Sequence, residues 1–173
     1  MTAPEFSRAF DPRHLADAAQ HLVANEAERA ALARRFSLVA IDRLEATVSL
    51  VAEGERVKVT GELSADVVQS CAVTGDDLPV AISEPLAFTF VPTATPSAAG
   101  EEVELAAEEL DEIPYDGALV DVGEAVAEEL ALAIDPYAEG PGADEYRRQY
   151  NLDDEGPKGA LAEGLAALLG KKD

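Results

Sequence analysis

Apolar and polar residues alternate along three consecutive stretches in the first half of the chain, which is the pattern of half-buried β-strands. The stretches cover residues 44–50, 57–67 and 80–90, and turn-forming sequences at residues 53–55 and 74–77 separate them. Alternating runs joined by short turns favour antiparallel hairpins, and three of them form a meander. A meander buries one face under helices, so the sequence predicts an α+β domain, with a partly closed barrel as an open variant.

Two helix starts precede the first of these strands. Asp11 followed by Pro12 provides a preferred N-cap and a preferred first helical residue, and we expect a helix from there to about Ala24. Asn25 and Glu28 have the spacing of a capping box, which predicts a second helix over residues 26–35. The predicted fold therefore has two N-terminal helices.

A third capping-box spacing lies in the second half of the chain. Asp121 and Glu124 predict the start of a C-terminal helix over residues 122–134, which Asp135-Pro136 ends. Short strands are expected at residues 103–105 and 113–115. These elements complete a single predicted α+β domain.

The composition changes beyond this helix, and we predict a domain over residues 1–135 followed by a flexible acidic tail over residues 136–173. Leucines recur at helical spacing near its end and predict a short amphipathic helix over residues 160–170. This helix either folds on binding a partner or docks on its own domain. The leucines that define its apolar face are Leu161, Leu165 and Leu168.

The acidic residues are concentrated in the second part of the chain. Residues 1–60 hold eight Lys or Arg and nine Asp or Glu, whereas residues 61–173 hold five and 26, so nearly all of the net charge of −22 lies there. Residues 101–130 contain twelve acids and no base. Binding to a nucleic-acid backbone requires Lys and Arg, so a basic protein partner suits this charge better.

The sequence offers little for catalysis or metal binding. His14 and His21 are seven residues apart, whereas a zinc-binding pair on a helix prefers three or four, and a single cysteine, Cys71, excludes an intramolecular disulfide and a Cys-based zinc ribbon. No phosphate-binding glycine motif, nucleophile elbow or EF-hand loop occurs. We therefore expect no enzymatic activity, no cofactor and no metal. The start of the chain lacks the pattern of a secretory signal, and no stretch is apolar enough to span a membrane, so a cytoplasmic location is expected.

Three stretches together resemble the YceD family, the large ribosomal RNA subunit accumulation proteins of bacteria. Their order and spacing carry the resemblance, which spans residues 6–143. It implies a role in accumulation or processing of large-subunit ribosomal RNA and a link, through gene neighbourhood, to a large-subunit ribosomal protein. Two departures are the loss of all cysteines but Cys71 and of an Asn-Pro-Phe-like peptide near the end. The stretches are residues 67–92, residues 112–132 and residues 135–143.

The charge suggests how such a factor works. We expect a basic ribosomal protein or ribosome-assembly factor to bind an acidic surface, with the terminal helix as an apolar anchor and any association with large-subunit RNA indirect. The expected partner-binding residues are Glu101, Glu102, Glu104, Glu108, Glu109, Asp111, Glu112 and Asp116, together with Leu161, Leu165 and Leu168.

Two alternatives remain open. The chain could bind RNA directly through Arg29, Arg34, Arg35 and Arg43 in its near-neutral N-terminal part. It could also act as an acidic mimic of nucleic acid that blocks a DNA-binding protein. Direct RNA binding would weaken steeply with salt, which separates it from the other hypotheses.

Overall fold

A computed structural model of the chain describes residues 4–93, 111–150 and 152. Its centre is an antiparallel meander of three long strands, β3 (Ala40–Glu53), β4 (Arg56–Ser70) and β5 (Asp77–Pro92). Glycines with positive φ lie in the two connecting turns, Gly54 at 69° and Gly75 at 76°. The predicted meander is therefore confirmed.

Shorter strands extend the meander on both sides. The first two strands of the chain are β1 (Ala9–Phe10) and β2 (Gln20–Val23), and β2 pairs antiparallel with β3. The last two are β6 (Glu112–Tyr115) and β7 (Val120–Asp121), and β6 pairs parallel with β5. The main sheet has the order β2-β3-β4-β5-β6, and β1 and β7 form a separate two-stranded sheet. The sheet is open, so the barrel variant is not adopted.

Three α-helices lie in the described residues: α1 (Glu26–Arg35), α2 (Val122–Ala133) and α3 (Ala143–Tyr150). The predicted capping box opens α1, since the Asn25 side chain accepts the Glu28 N–H at 3.0 Å while the Glu28 carboxylate accepts the Asn25 N–H at 2.8 Å. Helix α1 packs against β3, and α2 packs against β5 and β4. The mixed α+β class is therefore as predicted.

The core lies between the helices and one face of the sheet. Alternate residues of the long strands are buried there, while their neighbours remain accessible. Helix α2 contributes an apolar stripe to this core. Its fully buried members are Val122, Val126 and Leu130, each with 0% of its surface exposed.

The predicted first helix is wrong. Asp11 caps only a single 3₁₀ turn, Pro12–His14, and residues 20–23 form strand β2 instead. In that strand Leu22 is buried opposite Ala46 whereas Val23 is 48% exposed, the alternation of an edge strand. Pairing satisfies the backbone groups along the edge of β3, a tertiary effect that local helix signals do not contain.

Two prolines lie on the open edge of the sheet along β5. Thr89 donates its N–H to Asp111 O at 2.9 Å, so odd-numbered residues of β5 direct their backbone groups away from β4. Pro79 and Pro85 therefore face the part of that edge that has no strand beside it in the described residues. Proline has no N–H to leave unpaired there, and it discourages pairing with another chain.

Residues 138–150 contain α3 and contact the turn between β4 and β5, while the predicted domain boundary and flexible tail stay predictions. Ala72 donates its N–H to Ala138 O at 3.0 Å, and Gly140 donates its N–H to the Cys71 sulfur at 3.2 Å. Backbone hydrogen bonds hold this segment, so an apolar period was not needed to order it. The predicted helix over residues 160–170 and the predicted strand at residues 103–105 lie outside the described residues.

Candidate partner-binding groove

An open groove lies between β6 and α2 and encloses about 400 Å³. Its walls are apolar, formed by Ile113 of β6, Leu119 of the following loop and Ala125 of α2. Leu119 is 53% exposed. The groove therefore presents an accessible apolar surface. We call it the β6–α2 groove.

Carboxylates line the rim of the β6–α2 groove. Asp116 stands in the loop after β6, while Glu124 and Glu128 lie four residues apart on one face of α2. The Asp116 carboxylate accepts the Ala118 N–H at 3.0 Å, and Gly117 adopts a φ of 85° that closes this turn. The turn fixes Asp116 opposite the acidic face of the helix.

The N-terminus of α2 is positioned by the beginning of the chain. The Asp121 carboxylate caps the helix by accepting the Glu124 N–H at 3.2 Å, and it also accepts the Arg8 N–H at 2.8 Å. Val122 donates its N–H to Arg8 O at 3.0 Å. A Cβ at Gly123 would lie 2.5 Å from the Phe6 carbonyl oxygen, so glycine permits this close approach.

Tyr115 anchors the other wall of the groove. Its hydroxyl donates to Glu55 O at 2.6 Å, and its ring meets Phe90 edge to face with centroids 6.5 Å apart. Thr93 donates its N–H to Tyr115 O at 2.8 Å, which continues the pairing of β5 with β6. Both walls of the groove are thus held by the sheet or by the N-terminal segment.

Glu124 joins the groove to α1. One of its carboxylate oxygens, Oε1, accepts from the Arg35 guanidinium at 2.8 Å, and Arg35 also donates to Glu5 at 3.0 Å. The hydrogen bond with Glu124 raises the pKa of Arg35. The other oxygen of Glu124, Oε2, is buried and has no hydrogen-bond partner among the described residues. A buried oxygen without a partner is costly and can accept a further donor.

A second acidic group lies beside the β6–α2 groove. The pKa of Glu129 is raised above its ordinary value of 4.5 by burial, and further by the neighbouring charges of Asp111 and Glu128. These carboxylates repel one another when they are ionised.

The structure brings together only some of the expected partner-binding residues. Asp116 lines the groove and Asp111 faces Glu129, whereas Glu112 pairs with Arg56. Sequence reasoning missed Leu119 and the role of Glu124 and Glu128. For the two glutamates, the only signal in the sequence was that they lie off the apolar stripe of α2. The remaining expected residues, namely Glu101, Glu102, Glu104, Glu108, Glu109, Leu161, Leu165 and Leu168, lie outside the described residues.

The four arginines of the RNA-binding alternative are mostly engaged within the chain. Arg29 donates to Ala24 O at 2.7 Å and to Ile41 O at 3.2 Å. Arg35 binds two glutamates, and Arg43 pairs with Asp66 at 2.7 Å and with Glu45. Within residues 4–93 and 111–150, the Arg34 side chain makes no hydrogen bond or ion pair to another described residue.

Cys71, His14 and His21 each make local contacts. Hydrogen bonds from the backbone of Gly140 and from Thr74 lower the pKa of the Cys71 thiol to about 7, but the residue is only 4% exposed. His14 contacts Asp11 at 3.1 Å and His21 contacts Thr47 at 3.3 Å. In the part of the chain that the structure describes, no three His, Cys, Asp or Glu residues are grouped as metal ligands would be.

Fold and groove together define a mixed α+β domain with an acidic groove. The family model of the large ribosomal RNA subunit accumulation protein YceD matches residues 59–158, more than half of the chain. The chain belongs to this family. The match begins within β4 and includes β6, the β6–α2 groove and α3.

No curated protein and no solved structure matches the chain. The resemblance of residues 6–58 to the family lies outside the matched residues and stays a prediction. Among the described residues, no helix is long and apolar enough to cross a membrane.

Proposed function

We propose that the chain is a cytoplasmic, non-catalytic factor in accumulation of the large ribosomal RNA subunit, and that it acts by binding a basic protein of that assembly. The family is named for accumulation of this subunit. The proposal adds a mode of action, which is contact between an acidic surface and a cationic protein that must be held before it meets RNA.

The β6–α2 groove is the observation that carries this proposal. Four acidic residues line the groove together with the exposed Leu119, and the chain as a whole has a net charge of −22; the four are Asp116, Asp121, Glu124 and Glu128. Such a field attracts Lys and Arg side chains and steers a basic partner toward the groove. The apolar wall adds affinity that charge alone does not provide.

Direct RNA binding is less well supported. Among the described residues, Arg34 and Lys58 are the basic side chains that make no hydrogen bond or ion pair with another described residue, and two cations cannot neutralise many phosphates. The remaining field is repulsive to a nucleic-acid backbone. RNA capture is therefore treated as the outcome that would overturn the proposal.

The test is capture of partners by the tagged full chain from lysate of its own organism, at low and moderate salt, with and without nuclease. The groove variant combines Asp116→Asn with Glu128→Gln, which keeps the hydrogen-bond acceptor at residue 116 and removes two charges. The control variant combines Glu84→Gln with Glu145→Gln, two acids that do not line the groove.

We expect one basic large-subunit protein to be recovered after nuclease, at a level that falls with the groove variant and is unchanged with the control. Recovery of RNA alone, or loss of every partner on nuclease treatment, would overturn the proposal. Equal recovery by the two variants would show that the acidic partner surface lies elsewhere on the chain.

A further inference from the structure

The β6–α2 groove also indicates what its ligand looks like. We infer that it takes an extended segment of a protein partner in which basic side chains alternate with apolar ones. This inference rests on the proposed function and deepens it, since it assigns the recognised segment a sequence pattern.

The apolar walls require an apolar side chain. Ile113, Leu119 and Ala125 face an open space of about 400 Å³, which is larger than one aliphatic side chain and far smaller than a folded domain. Covering the exposed Leu119 with an apolar side chain removes apolar surface of both groups from water, which is favourable. A segment with only basic side chains would leave the apolar wall of the groove in contact with water, so we expect the ligand to supply at least one aliphatic residue.

The carboxylates require cations at a defined interval. Glu124 and Glu128 are separated by one turn of α2, a rise of about 6 Å. In an extended peptide, side chains two residues apart point in the same direction at a distance of about 6.6 Å. Two basic residues separated by one other residue therefore match the two glutamates, and the residue between them points toward the wall that contains Leu119.

Glu124 is prepared for such a contact. Its Oε1 is taken by Arg35, but its Oε2 is buried without a partner among the described residues. Because this oxygen is buried, it accepts a donor from the groove only when the Glu124 side chain turns toward it, and an arriving ammonium or guanidinium group then makes a charge-assisted hydrogen bond that is stronger than a neutral one. The opposing rim residue, Asp116, can receive a further basic side chain.

Addition of the segment as a further strand on β6 is disfavoured. Asp111 O and Tyr115 O accept hydrogen bonds from Thr89 and Thr93, so the odd-numbered residues of β6 face β5. Glu112 and Pro114 then face outward, and Pro114 has no N–H to offer. Recognition therefore depends on side chains that enter the groove, which makes the alternating pattern the specific feature.

Synthetic peptides bound to the full chain test the inference. The first peptide alternates Lys with Leu over six residues, the second has the same composition with the lysines and leucines in two blocks, and the third replaces each Leu with Ser. Affinities are measured by fluorescence anisotropy at two salt concentrations. The contact site is located from backbone amide shifts in nuclear magnetic resonance spectra.

We expect the alternating peptide to bind about tenfold more tightly than either of the others and to shift the amide signals of Leu119, Ala125 and Glu128. Leu119→Ser should weaken it about fivefold with little change in salt dependence. Glu128→Gln should weaken it about threefold and reduce the salt dependence. Both side chains are exposed, so these variants are expected to fold.

Equal binding of the three peptides, or equal affinity of Leu119→Ser and the unchanged chain, would overturn the inference. The alternating pattern of the ligand and the proposed function can be disproved separately. If a basic large-subunit protein is captured through the acidic rim but the alternating peptide does not bind, the pattern is wrong and the proposed function stands. If the chain captures no basic large-subunit protein and does not bind the alternating peptide, the proposed function fails as well.

Discussion

Replacement of Gly123 by alanine sets two opposite effects against each other. Alanine favours a helix over glycine by about 1 kcal/mol, so local propensity predicts that the variant is more stable. In the structure, however, the new Cβ would lie 2.5 Å from Phe6 O and 2.7 Å from Arg8 N, where ordinary contacts begin at 3.4 Å. The N-terminal segment and α2 must then separate by about 1 Å.

That separation weakens the two hydrogen bonds that join the segments. The bond from Arg8 N–H to the Asp121 carboxylate contributes about 2 kcal/mol and the bond from Val122 N–H to Arg8 O about 1 kcal/mol. The loss of about 3 kcal/mol exceeds the propensity gain. We therefore expect a net destabilisation of about 2 kcal/mol and a Tm about 6 °C lower.

Thermal unfolding followed by far-ultraviolet circular dichroism measures this change. Gly142→Ala is the matched control, because a Cβ there would meet nothing within 4 Å, and its Tm should stay within about 2 °C of the unchanged chain. A Tm for Gly123→Ala that is equal to or above that of the unchanged chain would refute the reasoning. It would mean that the contact between the N-terminal segment and α2 contributes nothing.

Three further predictions concern charged and titrating groups. Folding raises the pKa of Glu129 above 4.5, so the protonated Glu129 side chain contributes stability at low pH that is lost as pH rises through the folded pKa. Glu129→Gln should therefore raise the Tm at neutral pH but not below pH 4.5. Thr74→Val removes a hydrogen bond to Cys71, so the midpoint of the alkylation rate against pH should rise above about 7. Arg35→Ala should destabilise the fold by about 1 kcal/mol, and less when Glu124→Ala is also present.

Each of these predictions has its own control. Glu145→Gln removes an exposed acid that makes no hydrogen bond or ion pair with another described side chain, and it should leave the Tm at neutral pH unchanged. Thr60→Val lies away from Cys71 and should not move the alkylation midpoint, which the single cysteine of the chain makes easy to follow. Additive effects of Arg35→Ala and Glu124→Ala in denaturant unfolding would contradict the coupling between them.

Local patterns were sufficient to predict the centre of the fold. The alternation in β3, β4 and β5 has a period that only a half-buried strand explains, and the caps at Asn25 and Asp121 act within a single helical turn. Tertiary contacts decided the structure of the N-terminal segment before α1. Residues 20–23 became a strand because the edge of β3 offered backbone groups to pair with, which no local signal reports.

The candidate site was harder to predict than the fold. Charge composition indicated an acidic surface near residues 101–130, and of the acids expected to bind a partner Asp116 lines the groove. The parallel pairing of β6 with β5 places Ile113 opposite α2, and nothing in the sequence near β6 specifies that pairing. Leu119 could therefore not be recognised as part of an apolar wall, and Glu124 could not be recognised as a carboxylate with one buried oxygen that lacks a partner among the described residues.

The central claim is that the acidic groove supports accumulation of the large ribosomal RNA subunit. It is tested most directly by the ratio of large-subunit to small-subunit ribosomal RNA in cells that lack the native gene and express one variant. The account predicts that Asp116→Asn with Glu128→Gln lowers this ratio, while Glu84→Gln with Glu145→Gln restores it fully at the same protein level. Full restoration by both pairs would contradict the account.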